Sequence, residues 1–347
     1  MSQLTLYGNP ALHDFLHTAA ATKKVPQALL IEGAKGLGKK TFAGEIARVL
    51  FCQGDGLPSC GCSACVKLAR NSHPDLFYIA EEKDGDAGVL VPRPISAESV
   101  MKQLSVSTIR KISAHAPILP NEAPSKLYAV DCTFGISKEA QNAFLKILEE
   151  PPAFVQFILL SNSRSDLLDT ILSRVQVLPV LPLNRADFFL AAQARELNEG
   201  AAEGLFLLSE GNFGEALSLS EPMDDPMVVL SLDFFQGFVS GKAWEILLLM
   251  EQFSDFAGKD RQKLYNLFAF LRKMCYLSFA AATLDTRQFP PFCGAALEAL
   301  AAWGPSKIGA LLAVIETAME QIDANVTFPA CLTAFSAGLH TIFAYDA

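Results

Sequence analysis

The sequence predicts an α/β portion built on a parallel sheet, followed by an all-α portion. Three observations carry this. Residues 1 to about 178 alternate short β-like apolar runs with helical stretches, the pattern of a parallel sheet flanked by helices. A Gly-rich loop, Gly33-Ala34-Lys35-Gly36-Leu37-Gly38-Lys39, stands between an apolar run and a helical stretch. From about Met223 onward the chain is rich in Leu, Phe and Ala at helical spacing, as in Trp244, Ile246, Leu247 and Leu248, and in Leu264, Leu267, Phe268 and Leu271. With 347 residues, 51% of them hydrophobic and 19% charged, the chain is long enough for two or three domains with real cores. The expected blocks are 1–178, a small helical lid at 179–222, and a helical domain at 223–347.

Taken in order, Ala28-Leu29-Leu30-Ile31 reads as a buried strand, and Phe42, Ala43, Ile46, Ala47, Val49 and Leu50 mark the helix after the loop. Leu76-Phe77-Tyr78-Ile79 is a second strand, and Glu81 to Ser96, rich in charge, Gly and Pro, reads as an exposed loop. Leu127 to Asp131 is a buried strand ending on a carboxylate. A helix from Lys138 to Glu149 has Ser137 as N-cap, Ala140, Phe144, Ile147 and Leu148 on one face, and Pro151-Pro152 as its stop. Phe157 to Leu160 is a further strand. Between Ala324 and Tyr345 no Asp, Glu, Lys or Arg occurs, close to the roughly 20 residues that span a bilayer. Asn325, Thr327, Pro329, Thr333, Ser336, Gly338, His340 and Thr341 make the stretch too polar for a spanning helix, so it is expected to be a buried helix of a bundle.

The strand, Gly-rich loop, helix order points to a phosphate cradle, because backbone N–H groups and a helix N-terminus converge on phosphate oxygens. Gly33, Gly36, Gly38, Lys39, Lys40, Thr41 and Asp131 are the candidate nucleotide-binding residues. The position after Lys39, where Ser or Thr ordinarily holds Mg²⁺, is Lys40. Asp131 can stand where P-loop enzymes keep a metal-holding carboxylate. The residue after it, Cys132, is a poor substitute for a water-orienting carboxylate.

The block KLYAVDCTFGISKEAQNAFLKILEEPP, Lys126 to Pro152, with the strand Phe157–Leu160 and then Thr170-Ile171-Leu172-Ser173-Arg174, resembles the AAA+ subunits of the bacterial DNA polymerase III clamp loader. Within that family it is most similar to the delta-prime subunits. The resemblance is strong over roughly residues 20–180, fair across the lid and weak in the C-terminal third. It implies a AAA+ sheet, a helical lid and a C-terminal helical collar in which subunits associate; Glu320 to Asn325 resembles the collar-helix signature. Hydrolytic members carry Glu where this chain has Cys132. Motor subunits carry a sensing Arg in a Gly-Ser-x-Arg-x-Ala-Leu segment, and here the stretch Gly211 to Leu217 has Gly214 instead. The family's Ser-Arg-Cys motif is Ser173-Arg174-Val175. By resemblance Arg174, with Ser173, is an arginine finger reaching a neighbouring subunit's ATP. The implied chain is a non-motor subunit with no cis catalytic residue that helps load a sliding clamp onto primer-template DNA, with motor and delta-type subunits, and the clamp itself, as partners. ATP or ADP would be bound without hydrolysis.

Cys52, Cys60, Cys62 and Cys65 cluster after the first helix of the sheet portion, and Cys132, Cys275, Cys293 and Cys331 are scattered in apolar stretches. Scattered thiols of this kind suggest a reduced compartment. The cluster reads as a tetrahedral, structural Cys₄ zinc site, with a disulfide or a metal-free loop as alternatives. The family carries a zinc module here with CxxCxxC spacing, one residue longer than Cys60-Gly61-Cys62. His73 is a conceivable substitute ligand, although its position suggests a turn residue before a strand. A net charge of −9 weighs against an autonomous nucleic-acid binder. Early interruption of the N-terminal segment by His13, Asp14 and His17 makes the cytoplasm the expected location. Two other readings stay open: an active motor subunit using Thr41 in place of the missing ligand, and a zinc-dependent nucleic-acid binding module, for which Lys67 and Arg70 supply little charge.

Overall fold

A computed structural model describes residues 6–54, 60–80, 102–197, 199–220, 229–231, 233–235, 237, 250–256, 261–280, 289, 291–324 and 326–344. The expected Glu81–Ser96 loop, the Trp244–Leu248 stretch and the boundary at Pro222–Met223 lie outside these residues. The chain divides into two compact units. One comprises Met1–Asp187 with Asn212–Gly214, and the other comprises Phe188–Gly211 with Glu215–Ala347.

The first unit is a five-stranded parallel sheet between two helical layers. Its strands are β1 (Ala28–Glu32), β2 (Leu76–Ile79), β3 (Lys126–Asp131), β4 (Val155–Ser161) and β5 (Gln176–Pro179), in the order β2-β3-β4-β1-β5. Helices α1 (Pro10–Thr22), α2 (Lys39–Phe51) and α3 (Ser63–Ala69) precede β2; α4 (Val106–His115) precedes β3, α5 (Lys138–Glu149) precedes β4, and α6 (Asp169–Leu172) precedes β5. Alternation along the strands divides the core. On β1, Leu29 and Ile31 pack with Phe42, Ile46 and Phe51 of α2, whereas Leu30 joins Ile109 and Ile112 of α4 and Phe144 of α5. The register Phe77↔Tyr128↔Phe157 stacks three rings across β2, β3 and β4, with centroids 5.1 and 5.4 Å apart. Ser137 caps α5 by accepting from Ala140 N at 3.1 Å, and the expected apolar face of that helix is buried.

Asp75, just before β2, locks one edge of the sheet. Its fully buried carboxylate accepts from the N–H groups of Asn121 (2.6 Å), Glu122 (2.8 Å) and Ala123 (2.8 Å) and from the Asn121 amide (3.3 Å). Burial alone would push this carboxyl up, but the Ala123, Asn121 and Glu122 amides outweigh it, so its pKa is lowered. A folded pKa below the unfolded one stabilises the fold above the unfolded value of about 3.9, and that stabilisation is lost as pH falls through the folded value. Asp75→Ala should cost roughly 3 kcal/mol at pH 7 in urea unfolding, because the N–H groups of Asn121, Glu122 and Ala123 lose a charged acceptor together. Asp75→Asn should also flatten the acid limb of stability against pH; an unchanged limb would remove Asp75 as its source.

In the second unit, α10 (Arg261–Ala280), α11 (Pro291–Ala302), α12 (Pro305–Asp323) and α13 (Phe328–Ala344) follow α7 (Arg185–Ala194), α8 (Glu199–Ser209) and α9 (Phe213–Ser220), of which α7 and α9 begin in the first unit. Phe234, Phe253, Phe268 and Phe335 form its aromatic centre. The uncharged C-terminal stretch is α13, and only one face is buried: Cys331, Leu332, Phe335, Leu339 and Ile342 are inside while Thr333, His340 and Thr341 are exposed. Its polar residues are therefore accounted for by an amphipathic helix. Among the described residues no helix is long and apolar enough to cross a membrane.

Candidate functional site

The C-terminal ends of β1, β3 and β4 bring the candidate residues together, where open parallel sheets place their ligands. The loop Gly33–Gly38 leaves β1 and α2 begins at Lys39. Gly36 and Gly38 have φ of 93° and 96°, which L side chains rarely adopt, so this turn requires glycine at both. Lys39 is buried, and its Nζ donates to Gly33 O (2.5 Å), Ala34 O (3.0 Å) and Asn162 Oδ1 (3.0 Å). Burial lowers its pKa to about 8, against the attraction of Asp131 and with repulsion from Lys40. Thr41 lies in the first turn of α2.

Asp131 is buried at the end of β3. Its Oδ1 accepts from Thr133 N (3.0 Å) and Thr133 Oγ1 (2.5 Å), and its Oδ2 accepts from the Tyr78 hydroxyl. Lys40 Nζ lies 3.9 Å from the same Oδ2 and 4.6 Å from the centre of the Tyr78 ring. These residues do not fit an ordinary P-loop Mg²⁺: position 40 offers an ammonium instead of a hydroxyl, and both oxygens of the carboxylate already accept hydrogen bonds. Cys132 is buried, its sulfur 3.8 Å from Val130 O, and burial pushes its thiol well above the ordinary range. It cannot serve as a water-orienting base at neutral pH.

Gly214 does more than mark a missing Arg. Gly214 N donates to Gly36 O (3.0 Å), and Asn212 Nδ2 donates to Lys35 O (2.8 Å). A Cβ at position 214 would sit 2.5 Å from Gly36 O and 2.7 Å from Gly36 Cα, so any side chain there collides with the phosphate loop. Gly214→Ala should therefore destabilise the chain by about 1–3 kcal/mol in chemical unfolding. Gly214→Arg should displace the segment from the loop instead of restoring a sensing residue; a variant as stable as the parent would contradict this packing argument.

Arg174 follows α6 and precedes β5 by two residues. Its Nη1 donates to Thr170 O (2.8 Å) and Ser173 Oγ (3.0 Å), and its Nη2 to Glu149 Oε1 (2.5 Å) at the end of α5. All strands are parallel, so Arg174 stands at the N-terminal edge of the sheet and the phosphate loop at the C-terminal edge.

The four clustered cysteines converge. Their sulfurs all lie within 4.8 Å of one another, with Cys52–Cys60 at 3.5 Å and Cys52–Cys62 at 3.9 Å. Four thiolates about 2.3 Å from a tetrahedral ion lie about 3.8 Å apart, so the set fits a Cys₄ ion despite the short spacing, and all four are free thiols. Cys62 caps α3, and its pKa is lowered to about 6, chiefly by the Cys65 amide; burial pushes Cys65 well above the ordinary thiol range. His73 is a turn residue as expected, its carbonyl accepting from Leu76 N (3.3 Å) as the chain enters β2. It is buried, stacks on Phe51 at 4.4 Å and accepts from Asp75 N (3.2 Å). The side chain of Cys293 lies outside the described residues.

Sequence reasoning did not find Tyr78, Thr133, Asn162 or Asn212. Asn162 directly follows β4, and its place at the C-terminal end of a strand beside β1 is the signal that could have flagged it.

A glycine-rich loop after β1, a carboxylate ending β3 and this strand order define a parallel α/β fold of the AAA+ type. Residues 8–184 match the family described as DNA polymerase III, delta subunit, and the chain belongs to that family. DNA polymerase III subunit delta' of Bacillus subtilis strain 168 is 29% identical over 175 residues, 50% of this chain and 48% of that protein. The subunit delta' of Pseudomonas aeruginosa is 33% identical over 180 residues, 51% of this chain and 50% of that protein. The chain thus spans about half the length of the curated relatives it matches. A gamma subunit-related protein of DNA polymerase III from Thermotoga maritima aligns with a TM-score of 0.45 at 15% identity, covering 94% of this chain and 99% of that one.

Proposed function

We propose that the chain is a non-motor subunit of the DNA polymerase III clamp loader, with little or no ATP hydrolysis of its own, that lends Arg174 to a neighbouring ATPase subunit. The placement of Arg174 carries this reading. β5 alone, four residues long, puts about 13 Å of strand between the two edges of the sheet, and this separation from its own phosphate loop supports a role for Arg174 in trans over one in cis. A guanidinium presented to another subunit's phosphates stabilises charge on the transferring group. The buried thiol of Cys132 supports the absence of hydrolysis in cis.

In this reading 179–222 is the lid and 223–347 the collar through which motor and delta-type subunits assemble. The assembly opens the sliding clamp and engages primer-template DNA. The four cysteines hold a structural zinc ion. Gly33, Gly36, Gly38, Lys39, Lys40, Thr41 and Asp131 form a passive nucleotide site, and the cytoplasm is the setting, in keeping with the free thiols of Cys132, Cys275 and Cys331. The test is steady-state ATP turnover by the purified chain beside its Lys39→Ala variant. Turnover absent from both is expected, and robust turnover abolished by Lys39→Ala would make the chain a motor instead.

A further inference from the structure

We propose that His115 is an acid-sensitive latch: with Nδ1 unprotonated it holds the start of the loop 116–123 against β3 through the Tyr128 hydroxyl, and on taking a proton at Nδ1 it lets the loop go. The loop is tied at both ends. At the far end the Asn121, Glu122 and Ala123 amides are bound by Asp75. At the near end His115, in the last turn of α4, places Nδ1 2.7 Å from the Tyr128 hydroxyl, and its carbonyl accepts from Ile118 N (3.2 Å) and from Lys126 Nζ (3.5 Å). Between the ties Ile118 and Leu119 stand 56% and 69% exposed, with Pro117 and Pro120 on either side. The near tie therefore sets how firmly the chain presents two large apolar side chains to solvent.

Burial fixes the direction of the Tyr128 bond. Tyr128 is fully buried, and burial, helped by the negative charge of Asp75, keeps its hydroxyl protonated well above the ordinary range. Among the described residues that hydroxyl has no other hydrogen-bond partner. A buried donor without an acceptor is costly, so the hydroxyl donates, Nδ1 accepts, and the neutral ring carries its hydrogen on Nε2. A further proton adds at Nδ1, where it takes the lone pair that Tyr128 uses. The new charge also stands beside a cation. Facing the imidazole are Lys126 and Tyr128 from β3 and the Phe77 ring from β2, 4.8 Å between centroids. Lys111 lies one turn back on α4, while α5 in the same layer buries Ala140, Gln141, Phe144, Ile147 and Leu148 and no ionisable group. Asp75, which offsets Lys126, has both oxygens engaged by the loop amides. Burial first, and then Lys126, lowers the pKa of His115. The folded chain resists the proton, so what His115 contributes is complete above the unfolded value of about 6.5 and is lost as pH falls below it. Asp75, its own pKa lowered, keeps its charge through that range, and acid opens the near tie first.

The experiment is residue-resolved amide exchange by NMR on the isotope-labelled full chain, corrected for intrinsic rates, on either side of the unfolded value at about pH 7.5 and about pH 5.5. His115→Asn and Tyr128→Phe are measured beside the parent. In the parent, imidazole nitrogen shifts should show the neutral ring protonated on Nε2. Protection at Ile118 should fall about tenfold from the higher to the lower pH, the factor that one unsatisfied buried donor supplies, while Asn121, Glu122 and Ala123 stay protected. His115→Asn offers an amide oxygen to Tyr128 and does not titrate, so its protection should change less than about twofold. Tyr128→Phe keeps the ring stack with Phe77 and Phe157 but has no hydroxyl to hold, so Ile118 should be less protected at the higher pH and the fall should shrink. Unchanged protection at Ile118 in the parent, or a neutral ring protonated on Nδ1, would overturn the latch. So would the parent's full fall persisting in either variant, and so would an equal loss at Asn121 to Ala123, which would mean general acid unfolding.

Discussion

Replacing Arg174 with Ala in the assembled complex is expected to slow the neighbouring subunit's ATP turnover by about 10³–10⁵-fold, the range over which arginine fingers act. The effect should fall on the turnover number and leave nucleotide affinity little changed, because the guanidinium is needed most where charge develops on the transferring phosphoryl group. Arg174→Lys should recover only a small part, since an ammonium lacks the planar fork that engages two oxygens. Stability gives an internal control. Arg174 is about one-third exposed and its partner Glu149 about one-half, and a surface pair of this kind contributes about 0–1 kcal/mol. The variant should therefore unfold close to the parent. A complex carrying Arg174→Ala that hydrolyses ATP at the parent rate would end the finger assignment.

Removing the metal from the cysteine cluster is expected to have the second largest effect. One equivalent of zinc should copurify with the chain, and Cys65→Ser should lose it. Structural zinc supplies about 10–16 kcal/mol in isolated zinc-finger peptides. Here part of the fold should survive without it, because Ala64 of α3 belongs to the same buried apolar cluster as Phe42 and Phe51 of α2, which needs no ion. The expected loss is thus several kcal/mol, seen as a lower unfolding midpoint that zinc restores in the parent and fails to restore in Cys65→Ser. The proton balance sets the pH dependence. With its pKa lowered to about 6, Cys62 is already a thiolate at pH 7. Cys65 is protonated and must release its proton to the solvent when the ion binds. Zinc affinity should accordingly fall with every drop in pH across the neutral range, and more steeply below about 6, where Cys62 also takes up a proton. A chain free of zinc and indifferent to chelators would restore the metal-free reading of the cluster.

The alternation of the sheet portion was legible in the sequence because its strands are buried on both faces and read as continuous apolar runs. β1, β2, β3 and β4 all announce themselves this way. β5 does not, since Leu178 alone is buried there. The cradle was visible because glycine spacing is a local property, Lys40 because it directly follows that loop, and Cys132 because it directly follows the carboxylate ending β3. Tyr78, Thr133 and Asn162 escaped because their roles arise from tertiary placement: three ordinary polar residues become a network once β2, β3 and β4 align their C-terminal ends. The turn at His73 was legible and its burial was not. Its flanking Ser72 and Pro74 suggest a turn, yet its imidazole is part of the packing beneath α2.

The hydrogen bond from Asn212 to Lys35 joins residues 177 positions apart, and this has a consequence for how the chain is made. At roughly 5–20 residues per second, about 10–35 s separate the synthesis of the phosphate loop from that of the residue that braces it. Throughout that interval the nascent loop has no Asn212 on its Lys35 carbonyl and no Gly214 on its Gly36 carbonyl. Closing so distant a contact only once Asn212 has been made puts the finishing of the cradle after the pairing of the strands and before the rest of the second unit is synthesised. Ribosome-bound chains arrested before residue 212 should carry a paired sheet whose phosphate loop is still open to proteolysis, and chains released beyond residue 214 should resist it.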